Sequence, residues 1–172
     1  LIDLSDAPGT DVYQALKNNA DIQILPSTTG TTRVLRMRVD MEPWTDNKVR
    51  TALKLCQHRE KILALAYFEQ GLQGQDFHVY PKHPEYCKKP VPMYDPEKAK
   101  ALLKEANFDF DQTVHMRTPN GRYLFDKQVS EAIQAYLQDI GVKVELRVFD
   151  WPTYVAGLLK PIEETELRLF LL

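Results

Sequence analysis

The sequence predicts an α/β layer domain, a sheet flanked by helices. Three observations carry that expectation. Runs with a period of two alternate along the chain with runs of helical period. Short turns rich in Pro, Gly, Asn and Asp separate them. The 172 residues are 44% apolar and 27% charged, enough apolar material for one ordinary core.

The elements follow in order. Val12, Ala15 and Leu16 place a short helix over 11–17, closed by Asn18-Asn19. Asp21 to Leu25 reads as a strand, and Pro26 to Thr32 as a turn-rich crossover. Val34 to Val39 alternates Val34, Arg36, Arg38 against Leu35, Met37, Val39, the pattern of a half-buried strand. Glu42 to Asp46 turns the chain. Thr45 or Asp46 then caps a helix carrying Val49, Leu53 and Cys56. A second helix runs from Arg59 to about Glu69, with Gly71 expected to close it. Gln73 to Met93 has no sustained period and holds four prolines and several aromatics, so it reads as an ordered loop. Asp95-Pro96-Glu97 combines an N-cap, a proline at N1 and an acid in the first turn. Thr113 to Arg117 is a short strand, and Pro119-Asn120-Gly121 is a turn. Leu124 to Ile140 is the longest helix, stopped by Gly141. Val142 to Phe149 alternates as a strand. Asp150 caps a last helix from Trp151 to Leu159, and Glu166 to Leu172 reads as a buried strand.

Charge excludes some function classes. Twenty-two basic and 24 acidic side chains leave a net charge of −2. That gives no electrostatic case for a nucleic-acid partner or an anionic membrane surface. No apolar run approaches the ~20 residues that span a bilayer as a helix. The chain opens Leu1-Ile2-Asp3 with neither Met nor a leader-like run, as expected of a processed product or an excised piece.

Catalytic and metal signatures are not found. No G-x-S-x-G, HExxH or P-loop ending occurs. His78, His83 and Cys87 share one loop with Glu85, but their spacing matches no zinc module. The expectation is a non-enzyme with no catalytic residues, no metal and no cofactor; the alternative is a small α/β enzyme that uses Ser27 to Arg33 as an anion loop.

Three groups remain as candidates for ligand contact. Ser27 to Arg33 offers hydroxyls, amides and an arginine that suit an anion, with Thr29, Thr31 and Arg33 as the contact residues. A polar crossover between elements explains the same residues. Arg38 either meets a ligand or pairs with a neighbouring carboxylate. Trp44 and Tyr123 are either packing groups or platforms for a ligand, and the same choice applies to Trp151 and Tyr154. Cys56 and Cys87 are either two free thiols or one disulfide.

Several blocks resemble a known family. Ala15-Leu16-Lys17-Asn18-Asn19-Ala20-Asp21-Ile22 is similar to its helix–strand entry. Glu42-Pro43-Trp44-Thr45-Asp46-Asn47-Lys48-Val49-Arg50-Thr51-Ala52-Leu53, running on to His58-Arg59-Glu60, is similar to its proline–aromatic–x–Asp–x–x–Val–Arg–x–Ala signature. Tyr94-Asp95-Pro96-Glu97-Lys98-Ala99 through Leu102-Leu103 and Ala106 resembles its following helix. Ala132-Ile133-Gln134 through Leu137, Ile140-Gly141-Val142-Lys143-Val144-Glu145-Leu146 and Asp150-Trp151-Pro152-Thr153-Tyr154 resembles its long helix and next strand. The family is extracytoplasmic solute-binding protein family 5, the peptide/nickel-type receptors of ABC importers.

The resemblance covers nearly the whole chain and departs at three points. Asn107 stands where the family writes Gly, a swap that the left-handed conformation tolerates. Ala20 replaces a frequent Val or Glu. His58 replaces Asp and is expected to weaken a helix cap. The resemblance implies a periplasmic-binding-protein-like lobe with a mixed sheet flanked by helices. It places the end of the first lobe and a crossover at 1–32 and the second, C-terminal lobe at 33–172, with the return crossing near Leu172. It implies a monomeric binding component that closes on a peptide, or on a nickel chelate, oligosaccharide or opine. The loaded protein would then dock on an ABC permease in the bacterial membrane. For an extracytoplasmic protein it also makes the Cys56–Cys87 disulfide an expectation.

Overall fold

A computed structural model of the chain describes residues 4, 10–25, 27, 29–123, 125–160 and 169–171. Six helices and four strands are present among them: α1 Thr10–Leu16, β1 Leu35–Met37, α2 Asn47–Leu55, α3 Arg59–Tyr67, α4 Pro96–Glu105, β2 Thr113–Pro119, α5 Asp126–Asp139, β3 Lys143–Phe149, α6 Trp151–Leu158 and β4 Leu169–Leu171. The strands form one mixed sheet in the order β1-β4-β2-β3. β2 runs parallel to both β3 and β4, and β4 runs antiparallel to β1.

Local chemistry starts the helices. The Asp46 carboxylate accepts from the Lys48 amide at the head of α2, and Asp95 accepts from Lys98 at the head of α4. Asp150 accepts from both the amide and the hydroxyl of Thr153 at the head of α6. His58 still caps α3, through its ring Nδ1 and the Lys61 amide at 3.3 Å, so the change from Asp leaves a longer cap rather than none. Asn107 adopts φ 51°, the left-handed turn its position requires.

The core lies between the sheet and the layer of α2, α4 and α5. Leu53, Leu103, Met116, Ile133, Leu137 and Ile140 are all buried there. They recur three or four apart on the helices and face inward along β2, as their periods predict. Trp44 joins them at 1% exposure.

Four expectations change. Asp21 to Leu25 forms no strand; all five residues are exposed, and no ladder partner lies beside them among the described residues. β1 is three residues long, because the chain turns at Arg38, where the Met41 amide bonds back to the Arg38 carbonyl. α3 is closed by Phe68 and Glu69, with φ 49° and 63°, before Gly71 is reached. Cys56 and Cys87 are free thiols, so no bridge joins α2 to the long loop: Cys56 is buried in the core and Cys87 is exposed. Residues 161–168 and 172, which hold part of the last expected strand, lie outside the described residues, as does Leu124.

Candidate functional site

Topology gathers the candidate site at one end of the sheet. β2, β3 and β4 all finish there, at Pro119, Phe149 and Leu171. β1 starts at the same end, because Leu35 pairs with Leu171. The carboxyl ends of parallel strands are where open α/β sheets bind ligands, since the following loops converge there. Three chain segments meet at this end: the crossover that delivers Arg33, the loop after β2 and the head of α6.

The loop after β2 is held tightly. Asn120 extends the ladder through a 2.9 Å bond to the Phe149 carbonyl. Gly121 takes φ 75°, a conformation that favours glycine. The carboxylate of Asp126, 2% exposed, then accepts four backbone amides. Its carbonyl accepts from the Ser130 hydroxyl at 2.8 Å. This loop presents Arg122 and Tyr123.

Around Tyr123 the side chains form a stack of rings and guanidinium groups. Tyr123 meets Trp151 edge-on at 5.6 Å, and Trp151 stacks on Tyr154 at 6.0 Å. The Arg33 guanidinium lies 4.1 Å from the Tyr123 centroid. Arg122 lies 5.3 Å from Tyr123 and 5.1 Å from Trp151. Arg117 lies 4.3 Å from the Phe149 ring and fits because Gly157 on α6 has no Cβ; one built there would sit 2.6 Å from its Nη2. A cation over a ring face is attracted by its quadrupole and keeps its N–H donors free at the edge.

None of Arg33, Arg117 and Arg122 makes an ion pair among the described residues, and the Nε atoms of Arg33 and Arg117 are buried without a hydrogen-bond partner among them. Two phenols sit nearby in protected forms. Burial pushes Tyr67 up, opposed by the positive charge of Arg33, with which it shares a hydrogen bond. Burial pushes Tyr154 far up, and its hydroxyl donates to the Leu171 carbonyl. Buried neutral phenols and uncompensated guanidinium groups make a surface that receives an anion.

Of the residues singled out from sequence, the structure brings Arg33, Tyr123, Trp151 and Tyr154 together and separates Thr29, Thr31, Arg38 and Trp44 from them. Thr29 and Thr31 are exposed on the crossover, where the Thr31 amide reaches the Thr29 hydroxyl at 3.4 Å. Arg38 lies at the opposite end of β1 and is neutralised by Asp40, with bonds of 2.9 and 2.6 Å. Trp44 is a core residue and offers no exposed platform. Pro26 and Thr28 of the Ser27–Arg33 stretch and its flank lie outside the described residues. Arg117, Arg122 and Asp126 were not singled out. Their signal was a Pro-Asn-Gly turn placed directly after a strand.

The model for bacterial extracellular solute-binding proteins, family 5 (middle) matches residues 2–170. The chain belongs to that family. Among family 5 relatives, it is 28% identical over 159 residues to the glutathione-binding protein GsiB of Pectobacterium atrosepticum, covering 91% of this chain and 30% of the relative. The chain thus spans less than a third of that relative's length. Two solved structures share the fold. The dipeptide-binding protein of Pseudoalteromonas sp. SM9913, in complex with Met-Leu, aligns with TM-score 0.77 and 23% identity, over 96% of this chain and 32% of that one. NikZ of Campylobacter jejuni, in complex with Ni(L-His), aligns with TM-score 0.75 and 18% identity, over 95% of this chain and 34% of that one. They establish the periplasmic-binding-protein-like lobe and its mixed sheet. Family 5 is made of substrate-binding transport proteins, not enzymes.

Proposed function

We propose that this chain is the second lobe, with the crossover leading into it, of the extracytoplasmic binding component of an ABC importer, and that the whole protein captures short peptides. The observation that carries the reading is the set of arginines lying on aromatic rings at the converging strand ends, none of them ion-paired among the described residues. A peptide's terminal carboxylate is planar and bidentate and suits the edge of a guanidinium. The Tyr123–Trp151 pair gives its backbone or side chain an apolar wall.

Further support comes from the crossings. Residues 29–33 enter this end, and β4 leaves at the same end, one strand away. Two adjacent crossings make a hinge about which another lobe closes on the solute, and ligand contacts with both lobes would stabilise the closed form. We place the first-lobe segment at 1–32. The closed monomer would deliver its cargo to a membrane permease. GsiB is named for glutathione and the Pseudoalteromonas protein for dipeptides; Ni(L-His) is also a carboxylate ligand, which makes an amino-acid chelate the second reading.

The test uses the full-length natural protein and calorimetry with alanyl-alanine, its C-terminal amide, and a nickel–histidine chelate. The free acid is expected to bind at least tenfold more tightly than the amide, and Arg122→Gln to remove most of that difference. Equal affinity for acid and amide would refute the carboxylate site. Binding of the chelate alone would move the substrate to the second reading.

A further inference from the structure

Asp126 holds a position that the binding reading does not use. It is the first residue of α5, and its carboxylate is buried under the loop that carries Arg122 and Tyr123, yet it makes no ion pair among the described residues. Its acceptors go instead to the backbone of the loop. Oδ1 takes the amides of Gly121 at 3.2 Å and Lys127 at 2.8 Å. Oδ2 takes those of Arg122 and Tyr123, both at 3.1 Å. Loop and helix head are thus drawn around one carboxylate, with Gly121 at φ 75° and Phe125 at φ 55° on either side. Glycine takes that conformation freely, but Phe125 is strained in it unless something fixes it.

We propose that Asp126 is the positioning residue of this site: it sets the loop that aims Arg122 and Tyr123, and through them sets affinity for the acidic group of the solute. The inference rests on the carboxylate-binding reading above. Two roles for this charge make opposite predictions. As a counter-charge, Asp126 lowers the positive potential of the arginine cluster, so removing its charge would tighten binding of an anion. As a positioning group, it supplies acceptors that no neutral side chain matches. In Asp126→Asn one oxygen becomes an NH2, and two loop amides then face a donor instead of an acceptor.

The test compares wild type with Asp126→Asn and Asp126→Glu in the full-length protein. Affinities are measured for alanyl-alanine and its C-terminal amide. The position of the loop is read from the 19F resonance of Trp151 in protein labelled with 5-fluorotryptophan, assigned by the line lost in Trp151→Phe. Trp151 contacts both Tyr123 and Arg122, so it reports the loop directly. Asp126→Asn is expected to weaken the free acid at least tenfold, to weaken the amide far less, and to shift the Trp151 line well below the unfolding temperature. Asp126→Glu keeps the charge and moves the oxygens by one methylene, and it is expected to be impaired as well. A purely structural role would lower the melting temperature with the Trp151 line unmoved. That result, tighter binding by Asp126→Asn, or wild-type behaviour of Asp126→Glu would each overturn the inference. A wild type that binds no peptide would bring down the proposed function and the affinity half of this inference with it; an unmoved Trp151 line would then refute the loop-setting half as well.

Discussion

The two ends of the sheet both carry charged groups and treat them oppositely. At the N-terminal end of β2, a cleft of about 440 Å³ opens between the head of α2 and the turn that follows α4, lined by Glu42, Asp46, Asp109 and Gln112. Its carboxylates are engaged. Glu42 accepts from the Thr45 hydroxyl, Asp46 from the Lys48 amide and Asp109 from the Asp111 amide. At the C-terminal end, guanidinium groups lie on rings and leave donors without partners among the described residues. Arg33 and Arg38 make the contrast within one segment, flanking β1 on opposite sides. Arg38 has Asp40, which keeps its charge satisfied, and the same contact holds the Asp40 carboxyl below its usual range. Arg33 has a tyrosine ring. An open cleft marks space, whereas unmatched charge marks something still to be bound, and the two features fall at different ends of this lobe.

The largest expected effect separates those two arginines. In the full-length protein, the double change Arg33→Gln and Arg122→Gln is expected to weaken alanyl-alanine about 100-fold, equivalent to roughly 2.8 kcal/mol at 1.4 kcal/mol per tenfold. The fold should hold, since the two side chains contribute little to the core. Arg38→Gln is expected to leave affinity within about twofold, in line with the small worth of an exposed ion pair. Isothermal titration of the three proteins decides it. Comparable losses in both variants would erase the distinction between the ends.

A smaller effect runs the other way. Asp46→Ala removes the cap of α2 at the cleft end and is expected to cost about 1 kcal/mol in stability. Urea unfolding should show a lowered midpoint with the slope unchanged. Affinity for peptide should not move. A binding defect in this variant would give the cleft a role in solute capture and break the contrast from its other side.

How much of this was legible in the sequence depends on range. The caps of α2, α4 and α6 were readable because each acceptor meets an amide two or three residues ahead. Asp21 to Leu25 was misread because the alternation of Ile22 and Ile24 records a tendency, while a strand also needs a neighbour to pair with. Gly71 was the wrong stop for α3 because Phe68 adopts the left-handed turn first, with its amide bonded back to the Ala64 carbonyl. Arg33 and Tyr123 were both noticed, but nothing local joins residues so far apart. Their meeting follows from β1 starting where β2 ends, and that requires β4 between them. Trp44 shows the reverse case. Its place in the turn before α2 left packing and a ligand platform both open, and the core took it.

The smallest expected effect concerns the two thiols, which also divide by environment. Burial pushes the Cys56 thiol up to about 12, with the positive charge of Arg59 opposing too weakly to matter. The folded chain therefore holds that proton more tightly than the unfolded chain, whose thiol titrates near ~8.5. The resulting contribution to stability is fully present below that value and is lost as pH rises through about 12. Alkaline unfolding should thus begin above roughly pH 9 and be later in Cys56→Ala, if the lost packing is allowed for by comparing each variant with itself at neutral pH. Reactivity gives a simpler readout. Iodoacetamide on the native protein at pH 8 is expected to label Cys87, which is exposed, and to reach Cys56 only after denaturation. Within 56–87, mass spectrometry of the digested protein should count one adduct native and two denatured. No adduct in either state before reduction, and two after, would mean that the disulfide forms after all and that the loop is tied to α2.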